Sequence, residues 1–184
     1  INERKNKIRQ RLWKIRAKKV IIATGSIERP LIFSNNDRPG IILSSSIKKY
    51  IDYYGVKTGE NISLFTNNDS IYETAISLYK SGVKVSVIVD IRKNSDSLIV
   101  KEALNLGLKV LWESTIVETQ GYKRIKSFEV MKLSDDGNSV VGNKTKYICD
   151  CLGISGGWTP MVHLFTQSGG KLKFRNDDNV FIPD

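Results

Sequence analysis

The sequence predicts an α/β fold of three layers, with a parallel sheet of the dinucleotide-binding type and a β-meander. Three stretches carry this prediction: residues 19–30, residues 61–90 and the extended pieces that follow residue 115. The first stretch runs from Val-Ile-Ile-Ala into Thr24-Gly25, a pattern typical of a buried parallel strand that ends at bare main chain. Strand ends of this kind lie against nucleotides. The pattern therefore favours a flavin- or nicotinamide-dependent oxidoreductase with two dinucleotide-type domains.

Length and composition set the broad class. A chain of 184 residues with 40% hydrophobic and 26% charged residues is typical of a soluble globular protein with a real core. No apolar run approaches the roughly 18 residues needed to span a bilayer, and the N-terminus is not signal-like. We therefore expect a cytoplasmic protein without a membrane partner.

The only cysteines, Cys149 and Cys151, fit neither a zinc pair nor a C-x-x-C dithiol, so they are predicted to be core thiols and no metal site is expected.

The positive charge is concentrated in the N-terminal arm. Net charge is +10, and residues 1–19 hold nine Lys or Arg against Glu3 alone. Such an arm can bind phosphate backbones, which makes a basic nucleic-acid-binding module a rival hypothesis. Leu12, Trp13 and Ile15 interrupt the basic run as they would in a solvated strand. A charged sheet edge explains the arm more simply, and no nucleic-acid partner is predicted.

The hydrophobic pattern predicts the order of the elements. Helical spacing ending at glycine, and short apolar runs between turn residues, mark the helices and strands. The predicted elements are paired extended pieces at 9–17 and 19–23, a turn-rich crossing segment at 26–40, helices at 44–54, 70–81 and 97–106, strands at 62–65, 83–89 and 108–111, and extended pieces at 115–119, 125–133 and 146–154. We assign 1–58 to the end of a first dinucleotide-type domain and the crossing segment, 59–150 to a second Rossmann-like NAD(P)-type domain, and 151–184 to a return to the first.

The turn after the strand at 62–65 lacks the glycines of a dinucleotide fingerprint. Its residues Asn68 and Ile71 would crowd a pyrophosphate and the close helix packing, and Asp69 is placed to cap the helix with its own carboxylate. This turn is therefore predicted to be closed to nucleotide. Asp90 ends the next strand, where an acidic residue either accepts ribose hydroxyls or serves as a turn residue.

Bare main chain occurs again near the C-terminus, where a strand runs into Gly156-Gly157 and Trp158. Paired glycines let a cofactor lie against backbone amides with an aromatic wall beside it, although they could equally make a turn beside a core tryptophan. The only histidine, His163, has no cysteine or carboxylate pair near it in sequence. No catalytic residue is predicted.

An ordered set of motifs resembles the alpha-subunit family of heterotetrameric sarcosine oxidases. The similarity runs from about residue 9 to residue 184. The motifs that carry it are the segment Arg11-Leu12-Trp13-Lys14-Ile15-Arg16-Ala17-Lys18, Ala23-Thr24-Gly25 with Glu28-Arg29-Pro30, Asn36-Asp37-Arg38-Pro39-Gly40, Thr66-Asn67-Asn68-Asp69-Ser70 with Tyr72, Val89-Asp90 with Arg92, and Ser155-Gly156-Gly157-Trp158-Thr159-Pro160 with His163-Leu164. A rival enzyme class, the pyridine-nucleotide-dependent disulfide-type oxidoreductases, should carry C-x-x-C and a second glycine fingerprint, which this sequence lacks.

The resemblance implies a fold like that of two-domain flavoprotein reductases and an enzyme that oxidatively demethylates sarcosine. It implies NAD held tightly by this subunit, FAD and FMN elsewhere in the assembly, tetrahydrofolate as one-carbon acceptor, peroxide as a product and other subunits as partners. The family's glycine-rich fingerprint and its folate-handling portion have no counterpart here, so the chain resembles an internal fragment, inactive alone. The residues expected to reach the nucleotide are Thr24, Gly25, Gly156, Gly157, Trp158, Thr159 and Pro160.

Overall fold

The computed structural model describes residues 10–184. Its twelve strands are β1 (Ser26–Glu28), β2 (Ile41–Leu43), β3 (Asn61–Thr66), β4 (Lys84–Asp90), β5 (Val110–Leu111), β6 (Ser114–Gln120), β7 (Ser127–Leu133), β8 (Val140–Ile148), β9 (Cys151–Ser155), β10 (Trp158–Pro160), β11 (Leu172–Arg175) and β12 (Val180–Pro183). The four helices are α1 (Ser44–Tyr54), α2 (Ser70–Lys80), α3 (Leu98–Asn105) and α4 (His163–Gln167).

A five-stranded parallel sheet forms the central layer, in the order β2-β9-β3-β4-β5. Strand β3 lies between β9 and β4, and its last residue Thr66 pairs with both Ser155 and Asp90. Because these strands are parallel, their carboxyl ends meet at one edge of the sheet. Ligands bind at that edge in open α/β sheets, so this edge positions the candidate site.

Helices α1, α2 and α3 cover one face of the parallel sheet. Ile47, Ile71 and Val100 project from the three helices and pack against Leu64 and Ile88, all fully buried. The unit β3–α2–β4 is the βαβ unit that the periodicity predicts, and the helices begin and end within one residue of the predicted bounds.

An antiparallel meander, β6-β7-β8, covers the opposite face. Phe128 and Val130 of β7 pack against Phe65, Val89 and Leu152 of the central sheet. The core therefore consists of two layers of side chains, one on each face of the central sheet. The predicted three-layer α/β fold with a β-meander is confirmed.

The extended piece predicted at 146–154 is two strands in different sheets. Strand β8 ends in the meander, and β9 joins the parallel sheet between β2 and β3. The chain turns at Asp150, whose two carboxylate oxygens accept the backbone N–H groups of Glu60 at 2.9 Å and Asn61 at 3.0 Å. The parallel sheet thus crosses both boundaries of the three-part division into 1–58, 59–150 and 151–184, since β2 and β9 belong to it. The division into domains stays a prediction.

The strand predicted at residues 19–23 does not form. No secondary structure is present from residue 10 to residue 25, and Ile21 is 92% exposed. The apolar pattern predicts burial, but a buried parallel strand needs neighbouring strands, and no described segment pairs with residues 19–23. The predicted pairing of 9–17 with 19–23 is likewise absent from residue 10 onward, and residues 1–9 of the basic arm lie outside the described part of the chain. Pairing begins only at β1, which lies antiparallel to β10.

Candidate functional site

A cleft of about 520 Å³ opens at the carboxyl edge of the central sheet. The pairing of β1 with β10 forms one wall and the turn between β11 and β12 another, and the turn between β3 and α2 contributes Asn67 and Asn68. Its volume falls within the range of about 300–1,000 Å³ that is usual for ligand sites. The cleft also lies where the fold places nucleotides.

Backbone hydrogen bonds hold the glycine turn against the segment that follows β1. Arg29 N–H donates to the carbonyl of Gly157 at 2.8 Å, and Gly156 N–H donates to the carbonyl of Arg29 at 2.7 Å. At the other end of the β1–β10 pair, Met161 N–H donates to the carbonyl of Gly25 at 2.9 Å, and the Thr24 hydroxyl donates to the Met161 carbonyl. The two glycine segments therefore lie on one antiparallel ladder.

The structure divides the predicted site residues into two groups. Gly156, Gly157, Trp158 and Pro160 line the cleft. Three others, Thr24, Gly25 and Thr159, lie on the same ladder or beside its end but are not part of the lining. The assignment of all seven to a cofactor remains a prediction.

The packing of the turn itself explains why positions 156 and 157 are glycines. A Cβ on Gly156 would lie 2.7 Å from the backbone oxygen of Pro30. Gly157 has φ +99°, a conformation that side chains rarely adopt, and a Cβ there would lie 3.0 Å from Nη2 of Arg29. The turn requires both glycines with or without a ligand, so their presence alone does not demonstrate close approach by a cofactor.

The helix cap predicted for Asp69 is wrong. Asp69 makes no side-chain cap, and Asn68 Oδ1 instead accepts the Ser70 N–H at 3.1 Å. The amide nitrogen of Asn68 donates to Ser155 O at 3.2 Å and Oγ at 3.1 Å, which ties the turn to the end of β9. A short polar side chain one residue earlier in the turn fills the helix terminus, as capping chemistry allows.

Asp69 faces Arg92 in the loop after β4. Its Oδ1 lies 2.7 Å from Arg92 Nη1, and Ser95 Oγ donates to it at 3.0 Å. Burial acts to raise the pKa of Asp69, but the hydrogen bonds from Arg92 and Ser95 and the guanidinium charge outweigh it and hold that pKa below its ordinary value. The carboxylate of Asp69 is thus bound to partners within the protein.

Asp90 has every acceptor position occupied. The side chain is fully buried, Oδ1 accepts the backbone N–H and Nε of Arg92 at 3.0 Å each, and Oδ2 accepts Nη2 of Arg92 at 2.8 Å and the Tyr72 hydroxyl at 2.9 Å. Two carboxylate oxygens offer about four lone-pair sites in all. Of the two hypotheses for Asp90, the structure favours the structural one, because no acceptor is left for a ribose.

The β3–α2 turn, which is predicted to be closed to nucleotide, lies at the border of the cleft. Asn67 and Asn68 line it, and the indole Nε1 of Trp158 donates to Ser70 Oγ at 3.1 Å. Sequence reasoning missed these asparagines and Arg29 as lining residues. No local signal in the sequence marks the asparagines as lining residues, since their turn meets the cleft only because β3 pairs with β9.

The two cysteines are structural, as predicted. Both are buried, with Cys149 in the core beneath the meander and Cys151 in the core beneath the helices. Burial raises the pKa of Cys149 to about 12, and it also raises the pKa of Cys151.

Within residues 10–184, no cluster of three metal-ligating side chains occurs and every helix is too short or too polar to span a bilayer.

The three-layer architecture is similar in fold to solved oxidoreductases, among them a FAD-dependent pyridine nucleotide-disulphide oxidoreductase from Desulfovibrio vulgaris. L-proline dehydrogenase from P. horikoshii superposes with a TM-score of 0.60 at 20% identity, over 91% of this chain and 26% of that one. Thioredoxin reductase from T. acidophilum gives 0.62 at 18% identity, over 82% and 47%. At these identities the likeness concerns the fold alone. No family model matches the chain.

Sequence similarity is more specific and confirms the resemblance to the sarcosine oxidase alpha subunits. The chain is 38% identical over 178 residues to sarcosine oxidase subunit alpha of Corynebacterium sp. (strain P-1), covering 96% of this chain and 18% of that protein. It is 36% identical over 174 residues to the subunit of Rhizobium meliloti (strain 1021), covering 94% and 16%. The chain thus spans less than one fifth of the length of these relatives.

Proposed function

We propose that this chain is the nucleotide-binding portion of the alpha subunit of a heterotetrameric, flavin-dependent sarcosine oxidase. The whole enzyme would oxidatively demethylate sarcosine with peroxide as product, and tetrahydrofolate would take the one-carbon unit. FAD and FMN would be held elsewhere in the assembly, with other subunits as partners, in the cytoplasm. The similarity along about 95% of the chain to proteins named sarcosine oxidase subunit alpha supports this proposal.

The role proposed for the chain itself is to bind NAD in the cleft at the carboxyl edge of the sheet. The observation that carries this role is the gathering of Gly156, Gly157, Trp158 and Arg29 around one cavity. Trp158 is 38% exposed and lines the cleft, and its hydrogen bond to Ser70 fixes the orientation of the indole, so part of the ring is available for contact with a base or nicotinamide ring. The Arg29 guanidinium and the Asn67 amide supply donors for phosphate oxygens, whereas the Asn68 amide already donates to Asn67 and Ser155. These groups fit a dinucleotide.

In this role the chain binds and orients the nucleotide and does no chemistry on the amine. The polar groups that could have served a second nucleotide, Asp69, Asp90 and Arg92, are already bound to one another. NAD would supply a hydride acceptor if the reaction used one. The residues around the cleft contribute stacking, charge and shape.

The disulfide-reductase alternative gains no support from the cysteines. Both thiols are buried, and the structure places them in the cores on opposite faces of the sheet, where they cannot exchange with a substrate disulfide.

The test is the NAD content of the full-length subunit that carries this segment. Native protein should retain NAD through gel filtration, and Trp158→Ala should lose it, because removal of one aromatic stacking partner weakens base binding by about 1–3 kcal/mol, or roughly 5- to 150-fold. Trp13→Ala is the matched control, since Trp13 is exposed and does not line the cleft. Equal occupancy in native and Trp158→Ala protein would remove Trp158 from the site. Absence of NAD from native protein would refute the proposed function.

A further inference from the structure

Arg29 carries a positive charge that nothing in the described part of the chain neutralises by ion pairing. Its Nη2 donates to the backbone oxygen of Asp178 at 3.0 Å, and its Nη1 lies 3.4 Å from the backbone oxygen of Asn179. The Nε is buried and has no hydrogen-bond partner among residues 10–184. Carbonyl oxygens satisfy some of the donors, but they leave the full charge in place.

Arg92, another partly buried arginine at this edge of the sheet, is paired with carboxylates of the protein itself. Its guanidinium pairs with Asp90 at 2.8 Å and with Asp69 at 2.7 Å. Charges removed from water are normally paired, because an unpaired one is costly. Arg29 and Arg38 both lack an ion pair among the described residues, and of the two only Arg29 lines the cleft.

The charges around the cleft have a definite arrangement. Arg175 and Asp178 form an ion pair, with Arg175 Nε donating to Asp178 Oδ1 at 2.7 Å, and the charge of Arg29 also acts on the Asp178 carboxylate and helps to lower its pKa. Arg29 and Asp177 remain, and neither forms an ion pair within the described residues. A cleft with one free guanidinium and one free carboxylate suits a ligand that carries both an anionic group and hydroxyl donors.

We propose that Arg29 binds the pyrophosphate of the nucleotide in this cleft and makes the site selective for phosphate-bearing ligands. This inference rests on the proposed function, since it names the group of the nucleotide that Arg29 would hold. The guanidinium lies beside Gly157, where a Cβ would be 3.0 Å from its Nη2. Its planar, permanently charged fork suits two phosphate oxygens at once, which a lysine could not match. A dinucleotide also brings ribose hydroxyls within reach of an acceptor such as Asp177.

Arg38 offers a matched control. Its Nη1 donates to the carbonyl of Gly121 and its Nη2 lies 3.4 Å from the carbonyl of Thr119, and its Nε is also buried without a partner among the described residues. It therefore has the same kind of surroundings as Arg29 but does not line the cleft. A variant at Arg38 reports what loss of such an arginine does to the fold alone.

The experiment measures binding of ADP, adenosine and inorganic phosphate by calorimetry to the full-length subunit after removal of its nucleotide. Arg29→Gln should weaken ADP binding roughly 10- to 100-fold and leave adenosine binding unchanged, because only ADP carries the phosphates. Arg29→Lys should fall between, and Arg38→Gln should leave both affinities unchanged. Thermal unfolding of each variant checks that the fold is retained.

Each other outcome identifies which statement is wrong. Native-like ADP binding by Arg29→Gln would overturn the role of Arg29 while leaving the proposed function intact. An equal loss of adenosine binding would mean that Arg29 shapes the cleft without contacting phosphate. Inorganic phosphate binding as tightly as ADP would make Arg29 a simple anion site. Failure of native protein to bind either ADP or NAD would refute the proposed function itself.

Discussion

The hydrogen bond from Tyr72 to Asp90 should contribute measurably to folding stability. Tyr72 is fully buried, its hydroxyl donates to a fully buried carboxylate at 2.9 Å, and Phe would fill the same space without the donor. A hydrogen bond to a charged group contributes about 1.5–3 kcal/mol. For a chain of this length, 1 kcal/mol corresponds to a change of about 2–4 °C in Tm. Tyr72→Phe should therefore lower the Tm of the chain by about 3–12 °C.

Thermal unfolding followed by circular dichroism measures this effect. Tyr79→Phe, on the same helix but 47% exposed, is the control and should change stability by less than about 0.5 kcal/mol. Burial beside Asp90 also raises the pKa of Tyr72, so the hydroxyl remains a donor at any pH suitable for the assay. If Tyr72→Phe melts at the same temperature as native protein, Asp90 is not held as described, and the argument that its acceptors are all occupied fails.

Two further predictions concern groups whose pKa the fold shifts. The pKa of Asp69 is lowered on folding, so its carboxylate stabilises the protein at pH values above its ordinary pKa of 3.8, and this stabilisation is lost as the pH falls from 3.8 through the folded-state pKa. The free energy of unfolding should therefore fall less steeply below pH 4 in Asp69→Asn than in native protein. Superimposable curves of unfolding free energy against pH would contradict the ion pair. Burial raises the pKa of Cys149 to about 12, so its thiol should react with an aromatic disulfide reagent at pH 8 only after the protein is denatured. Stoichiometric reaction of the folded protein would show that the thiol is accessible and would contradict its burial.

Local patterns were sufficient to predict most of the central layer and its helices. Helix α1 ends where Gly55 adopts φ +62°, and α2 and β4 follow the periodicity of their apolar residues. Glycine after a run of helical spacing and β-branched residues in a short strand act through the chain nearby. Such signals do not depend on how the rest of the protein folds.

The predictions that failed depend on neighbours distant in sequence. Residues 19–23 have the composition of a buried strand, but burial requires partners that the described residues do not provide. Asp69 has the right chemistry for a helix cap, but Arg92 competes for its carboxylate and Asn68 takes the cap. The cleft itself could be predicted only in part. Arg29 belongs to it because β1 pairs with β10, a contact between segments about 130 residues apart.

The central claim is that nucleotide binds beside Gly156 and Gly157 and not at the turn between β3 and α2. A crystal structure of the full-length subunit with its bound nucleotide tests this directly. We expect the pyrophosphate within hydrogen-bonding distance of Arg29, a ring of the nucleotide against Trp158, and the ion pairs of Arg92 intact. A pyrophosphate at the N-terminus of α2, with the ribose on Asp90 and the Arg92 ion pairs broken, would contradict it.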